Sequence, residues 1–117
     1  MITPQRVSLS HATSISLKQL ASRTGLSPNI VARFAMLLSF EQEFDPAEDT
    51  GQPDLTINQS SLFGELEPFL MSAFAFRCGK LDRQSAARVL AAHVARGVNF
   101  LSVRVESLAD IAKMCIP

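Results

Sequence analysis

The sequence lacks several features that define other classes of protein. It has no Trp, no Tyr and only two cysteines, Cys78 and Cys115, which are too few and too far apart for a disulfide framework or a metal site. No apolar run approaches the roughly 20 residues that span a bilayer. The N-terminus also lacks a basic start followed by an apolar stretch. These absences predict a cytoplasmic protein with no membrane segment, cofactor or metal ion.

The chain of 117 residues is nonetheless apolar enough to fold. Its 47% hydrophobic and 19% charged residues exclude a disordered chain and indicate one domain over residues 1–117. A chain of this size hides only about two-thirds of its unfolded surface, so its core is modest. We therefore expect it to associate with copies of itself.

Charge is distributed unevenly along a chain whose formal net charge is zero. Residues 1–40 contain four basic and no acidic side chains, residues 41–68 contain eight acidic and no basic ones, and residues 69–117 are basic again. Basic surface gathered on one face binds phosphates even on a neutral protein, because the ions that it displaces are local to the contact. Nucleic acid therefore stays open as a partner. The last region contains a second basic cluster, formed by Arg77, Lys80, Arg83 and Arg88.

The hydrophobic periodicity predicts that the chain begins with a strand and a helix. Residues 5–10 alternate like a half-buried strand, with Val7 and Leu9 on one face. A strand this short needs a partner strand. From about residue 14 the apolar spacing becomes that of a helix, which ends at Gly25 because glycine readily adopts a positive φ.

A second helix is predicted over residues 28–40. Ser27 is placed to cap it, and Pro28 stands at the first helical position, where a helix tolerates proline best. The helix is apolar nearly all round and must therefore be buried on more than one face. In so small a chain, we expect subunits to bury it between them.

An acidic loop over about residues 41–60 separates these elements from further helices. Its Pro46, Gly51 and Pro53 indicate a mobile surface segment. The predicted elements after the loop are a helix over residues 61–78, a helix over residues 82–96 that stops at Gly97, a stretch over residues 98–105 that is open between strand and helix, and a short helix that begins at a capping box at Ser107 and ends at about Met114.

Few residues of the sequence point to catalysis. His11 and His93 are interpreted as surface or helix-packing residues, because the sequence cannot place either beside a nucleophile and an orienting carboxylate. Asp45, Glu48 and Asp49 resemble Mg²⁺ ligands in chemistry, although no glycine-rich phosphate loop accompanies them. A metal-dependent DNA nicking endonuclease therefore stays open as an alternative.

The order of elements at the start matches the ribbon-helix-helix plan. In that plan, strands of two chains pair into a ribbon, the second helices form the dimer core, and outward strand side chains face DNA. The outward side chains here would be Arg6, Ser8 and Ser10. The start of the second helix would offer free N–H groups near Ser27 and Asn29 to a phosphate. A small helical oligomer whose strand only ties down the N-terminus is the alternative.

Four segments, in order along nearly the whole chain, resemble one known family. They are residues 20–30 (Leu-Ala-Ser-Arg-Thr-Gly-Leu-Ser-Pro-Asn-Ile), 62–65 (Leu-Phe-Gly-Glu), 92–98 (Ala-His-Val-Ala-Arg-Gly-Val) and 104–110 (Arg-Val-Glu-Ser-Leu-Ala-Asp). The first is the most specific. Together they are similar to the DndE family of the bacterial DNA phosphorothioation system.

The resemblance implies a DNA-binding accessory protein of the machinery that replaces a non-bridging phosphate oxygen with sulfur. Such a protein works with a cysteine desulfurase, an iron–sulfur protein and an ATPase, and forms a helical tetramer that prefers nicked duplex DNA. This chain departs from lysine-rich members because it has three lysines, with arginines in their place. A scaffold that binds only the other proteins of the machinery is an alternative. The predicted DNA contacts are Arg6, Lys18, Arg23, Ser27, Asn29 and Arg33.

Overall fold

A computed structural model describes residues 6–106 and 108–114 of the protein. The fold is mainly helical with one two-stranded antiparallel sheet, which confirms the predicted mainly helical class. None of the described helices is both long and apolar enough to cross a bilayer. Gln5, Ser107 and Cys115 lie outside the described residues. The elements are β1 (Arg6–Ser10), α1 (His11–Thr24), α2 (Pro28–Phe40), β2 (Pro53–Asn58), α3 (Gln59–Phe63), a 3-10 turn (Gly64–Leu66), α4 (Glu67–Cys78), α5 (Arg83–Arg104) and α6 (Leu108–Met114).

The sheet is completed within the chain. Strand β1 pairs antiparallel with β2, with Val7 opposite Ile57 and all three of Val7, Leu9 and Ile57 buried. The ribbon-helix-helix plan instead predicts a partner strand from a second chain, and the acidic loop was predicted to continue to about residue 60. Strand β2 corrects the predicted end of the loop and supplies a partner for β1 within the chain. Its short alternation around Ile57 is hidden in the sequence between acidic, Pro and Gly residues.

Helix α1 ends and helix α2 begins at the predicted capping residues. Gly25 adopts the left-handed conformation with φ 75° and donates its N–H to Ala21 O, which closes α1. Helix α2 covers the predicted residues 28–40, with Ser27 as its cap. Helix α1 begins earlier than predicted, because the Ser10 side chain already accepts a hydrogen bond from the N–H of Thr13.

The core is centred on the contact between α2 and α5. Gly97, predicted to stop a helix, lies in the middle of α5, which continues to Arg104. A Cβ added to Gly97 would lie 1.9 Å from Ala35 O, so the missing side chain lets the two backbones approach. Helix α5 thus buries Val31, Ala35 and neighbouring residues of α2 within the same chain. One face of α2 is therefore buried within the chain, whereas Ile30 remains 43% exposed.

The predicted third helix is interrupted. It divides into α3 and α4 at the 3-10 turn, where Gly64 takes a φ of 59° that disfavours continuation of an α-helix. Leu70 and Phe74 of α4 are buried, whereas Phe69 and Phe76 on its other side are 66% and 95% exposed. The short final helix predicted by the capping box is present as α6.

Candidate nucleic-acid interface

The turn between α1 and α2 brings together three of the predicted DNA contacts. Arg23 is exposed in the last turn of α1, and Ser27 accepts a hydrogen bond from the N–H of Ile30 at 3.3 Å. Asn29 is half-buried at the second position of α2. The first N–H groups of a helix have no acceptor within the helix, and the positive end of the helix dipole lies there. One exposed turn therefore carries a cation, a hydroxyl group and backbone donors.

Lys18 is exposed on α1 near a carboxylate. His11 Nδ1 is 3.1 Å from Asp54 Oδ2. The hydrogen bond with His11 is the largest cause that lowers the pKa of Asp54, and the positive charge of Lys18 makes a smaller contribution in the same direction. The carboxylate of Asp54 therefore partly balances the charge that Lys18 presents to a polyanion.

Arg33 is directed toward the protein. Its Nε donates to Leu62 O at 2.7 Å and one terminal nitrogen donates to Ser61 O at 3.3 Å. A Cβ on Gly64 would lie 2.5 Å from the same terminal nitrogen, so this glycine makes room for the guanidinium. Arg33 donates to carbonyl groups at the end of α3, which lack N–H donors within so short a helix. Its main contacts are therefore structural.

Arg6 shares a hollow with a member of the second basic cluster. Arg6 and Arg88 line a cavity of about 130 Å³ together with Glu48 and Asp49. Arg88 and Glu48 also line a larger cleft of about 500 Å³, where Arg77 is on the lining as well. Arg6 of β1, Arg77 of α4 and Arg88 of α5 thus line two hollows, and Arg88 lines both of them. We call this surface, defined by Arg6, Arg77 and Arg88, the arginine groove.

Two carboxylates of the acidic segment face the arginine groove. Asp45 Oδ1 accepts a hydrogen bond from Arg77 at 3.0 Å, and Glu48 Oε1 is 4.0 Å from Arg88 Nε. Arg77 also donates to the carbonyl oxygens of Gln42 and Phe44, at 3.1 Å each. The segment that the sequence predicted to be mobile is therefore tied to α4 and α5 by defined contacts.

Asp49 is turned toward the start of α1 instead. Its carboxylate accepts hydrogen bonds from the Ser10 N–H and hydroxyl, both at 2.8 Å, and from the Thr13 hydroxyl at 3.0 Å. A negative charge at this position also complements the helix dipole. Among residues 6–106 and 108–114, no group of three or more His, Cys, Asp or Glu side chains is arranged to hold a metal ion. The carboxylates considered as Mg²⁺ ligands are thus engaged with separate partners.

A buried polar network joins α2, α4 and α5, and no sequence pattern indicates it. Arg96 Nε donates to Ser39 Oγ at 2.7 Å, and His93 Nδ1 lies 2.8 Å from the same oxygen. Because arginine can only donate, we assign the Ser39 hydroxyl proton to the bond with His93 Nδ1. The imidazole proton is then on Nε2, which faces Cys78 Sγ at 3.5 Å.

The surroundings of His93 and Cys78 keep both side chains neutral. Burial, with the charges of Arg96 and Arg77, lowers the pKa of His93 to about 4. Burial also raises the pKa of the Cys78 thiol. A nucleophilic cysteine needs the opposite shift, toward the thiolate. His93 is thus a helix-packing histidine, as the sequence suggested, and Cys78 is a half-buried neutral thiol.

The fold and its cations define a small, mainly helical protein with two separate arginine-bearing surfaces, the α1–α2 turn and the arginine groove, whose arginines face carboxylates. Residues 6–108 match the family described as DNA sulphur modification protein DndE, and the chain therefore belongs to the DndE family. This membership confirms the resemblance seen in the sequence. The family acts in DNA phosphorothioation.

Solved structures of the family share this fold. The chain is similar to a crystal structure of DndE from Escherichia coli B7A involved in DNA phosphorothioation modification, with a TM-score of 0.71 and 30% sequence identity. It is also similar to a crystal structure of a DndE mutant, with glycines replaced by lysine, involved in DNA phosphorothioation, with a TM-score of 0.69 and 28% identity. Each comparison covers 86% of this chain and 99% of the other. No curated protein matches the chain.

Proposed function

We propose that the protein is a non-catalytic DNA-binding subunit of the DNA phosphorothioation machinery. The observation that carries this proposal is the match to the DndE family over residues 6–108. The exposed α1–α2 turn supports it, because Arg23, Ser27 and Asn29 combine a cation with hydroxyl, amide and backbone donors of the kind that hold phosphates. Contacts of this type carry no base specificity, so the protein binds duplexes of different sequence alike.

The other predicted DNA contacts, Lys18, Arg33 and Arg6, have different roles in this proposal. Lys18 contributes a charge moderated by Asp54. Arg33 is assigned to the end of α3, because its donors already have carbonyl acceptors. Arg6 belongs to the arginine groove, which is a separate surface.

We also propose that the protein acts in the cytoplasm as a homotetramer that prefers nicked DNA and contacts other proteins of the machinery. An exposed apolar stripe supports association. Phe69 follows Leu66 by about one helical turn and Phe76 follows Phe69 by about two. Their side chains are 51% (Leu66), 66% (Phe69) and 95% (Phe76) exposed. Exposed apolar patches mark surfaces that pack against protein partners.

The experiment that tests this function is a binding series with intact and nicked duplexes of one sequence, at several salt concentrations and with Mg²⁺ present. Tighter, salt-sensitive binding of the nicked duplex, with the DNA recovered unchanged, is the expected result. New nicks in a clean preparation would indicate the endonuclease instead. Absence of binding at low salt would indicate a scaffold that contacts only proteins. Sedimentation of the same sample measures the number of subunits.

A further inference from the structure

We propose that the arginine groove is a second site for DNA phosphates, and that Asp45 and Glu48 occupy it in the free protein as substitutes for phosphate. This inference rests on the proposed DNA-binding function and adds a site and a means of regulation to it.

The arginines of the groove come from three elements that the fold fixes relative to one another. Arg6 stands at the start of β1, Arg77 in the last turn of α4 and Arg88 in the second turn of α5. Arg88 lines both hollows and so links the other two. Guanidinium groups form paired, charge-assisted hydrogen bonds with carboxylates and phosphates alike, because both anions offer oxygens at similar spacing. A groove of arginines that holds carboxylates is therefore suited to phosphodiesters.

The contacts between the acidic segment and the groove are weak enough to be exchanged. The side chain of Asp45 is 88% exposed against 20% for its partner Arg77, and those of Glu48 and Arg88 are 62% and 58% exposed. The Arg88–Glu48 pair is open to water on both sides and the Arg77–Asp45 pair on the side of the carboxylate, so both contribute little to stability. A polyanion that approaches the groove competes with two isolated carboxylates, and its counterion release favours the exchange.

The chain is built so that these two carboxylates can leave without unfolding the rest. On one side the carbonyl oxygen of Phe44 is held by Arg77 and Arg96. On the other side Asp49 is held at the start of α1 by Ser10. Residues 45–48 form a bridge without helix or strand between these two anchors. Movement of the bridge alone takes Glu48 from Arg88 and Asp45 from Arg77, while Arg77 keeps its bonds to the carbonyl oxygens of Gln42 and Phe44.

The test compares charge-matched variants for binding to a short labelled intact duplex. Asp45→Asn with Glu48→Gln removes the two carboxylates that pair with arginines of the groove. Glu41→Gln with Glu43→Gln is the matched control, because it removes the same charge from the same segment and neither side chain has a hydrogen bond or ion pair in the described part of the chain. Circular dichroism confirms that both variants fold.

We expect the groove variant to bind about three- to tenfold more tightly than the wild-type protein at low salt, because two exposed ion pairs no longer compete. Its affinity should also fall more steeply with salt, since more phosphates are contacted. The control should change affinity less than about twofold. Adding Arg88→Gln to the groove variant should abolish the gain.

The outcomes separate this inference from the proposed function. An equal gain in the control variant, or no gain in the groove variant of a protein that does bind DNA, would overturn the second site while leaving DNA binding intact. A gain that survives Arg88→Gln would place the effect outside the groove and overturn it as well. Absence of binding by every variant would overturn the proposed function itself.

Discussion

Gly97 of α5 lies against the main chain of Ala35 in α2, so closely that a Cβ at position 97 would be 1.9 Å from the Ala35 carbonyl oxygen. Real Cβ atoms do not come this near to a backbone atom, and neither partner is a flexible side-chain end. The contact between α2 and α5, which organises the core, therefore requires glycine at this position.

Gly97→Ala should lower the free energy of unfolding by about 2–3 kcal/mol, because the helices must separate to admit one methyl group. In an exposed helix position the same change would stabilise the protein by roughly 1 kcal/mol. Urea unfolding of the variant measures the difference. Asn99→Ala, at an exposed position two residues further along α5, is the control and should be nearly neutral. A neutral Gly97→Ala would contradict the packing described.

Arg23→Glu and Arg33→Gln should separate DNA binding from folding. Arg23 is exposed in the last turn of α1, so its replacement should weaken binding to all duplexes alike and flatten the salt dependence, with a loss of stability below about 1 kcal/mol. Arg33→Gln should lower the free energy of unfolding by about 1–3 kcal/mol, because two carbonyl oxygens lose a charged donor. Its DNA affinity, measured well below the unfolding temperature, should stay within about twofold of the wild-type value.

A fall in DNA affinity of the folded Arg33→Gln protein as large as that of Arg23→Glu would return Arg33 to the DNA contacts. Unchanged binding by Arg23→Glu would remove Arg23 from them. Both measurements use anisotropy of a labelled duplex, with circular dichroism at the same temperature as the check on folding.

The pKa of His93 predicts a loss of stability in mild acid. The folded protein lowers this pKa to about 4 from its ordinary value of 6.5, so between these values the unfolded chain binds the proton and the folded protein does not. Stability is therefore fully present above pH 6.5 and falls as the pH drops toward 4, by up to about 3 kcal/mol. Urea unfolding at pH 7 and pH 4.5 measures the change.

His93→Gln removes this titration and serves as the comparison. The variant should be less stable at pH 7, since it disturbs the bond with Ser39, yet its stability should vary less between the two pH values. An equally steep decline in the variant would mean that other groups cause the acid sensitivity.

Local signals in the sequence predicted those parts of the fold that local chemistry decides. Ser27 and Pro28 mark the start of α2 because a cap and a preset φ act within one turn. The prediction that Gly97 ends a helix was wrong. In a sequence, a glycine that ends a helix cannot be told from one that lets a neighbouring backbone approach. Strand β2 was missed because only a few alternating residues carry its signal.

The arrangement of the predicted DNA contacts follows the same rule. Arg23, Ser27 and Asn29 are close in sequence and stay close in the fold. Arg6 and Arg88 are far apart in sequence, and only the packing of β1 beside α5 brings them to one hollow. The pairing of individual residues depends on tertiary structure.

Cys78 should react slowly with iodoacetamide in the native protein. Burial raises the pKa of its thiol, and only the thiolate is alkylated at a useful rate. We expect alkylation at pH 7 to be at least about tenfold slower than in the urea-unfolded chain, as measured by mass spectrometry of the Cys78 peptide. The unfolded chain also controls for the reagent. Equal rates in both states would contradict a protected, neutral thiol.

Asp49 should matter for stability more than any exposed carboxylate of its segment. Asp49→Ala leaves the Ser10 N–H and the hydroxyls of Ser10 and Thr13 without their acceptor, which should cost about 2–3 kcal/mol of the free energy of unfolding. Asp49→Asn retains one acceptor oxygen and should lose roughly half as much. Glu43→Ala, at an exposed position of the same segment, should stay within about 0.5 kcal/mol of the wild-type protein. Urea unfolding of the three variants ranks them, and an Asp49→Ala protein as stable as Glu43→Ala would show that the carboxylate does not anchor the segment to α1.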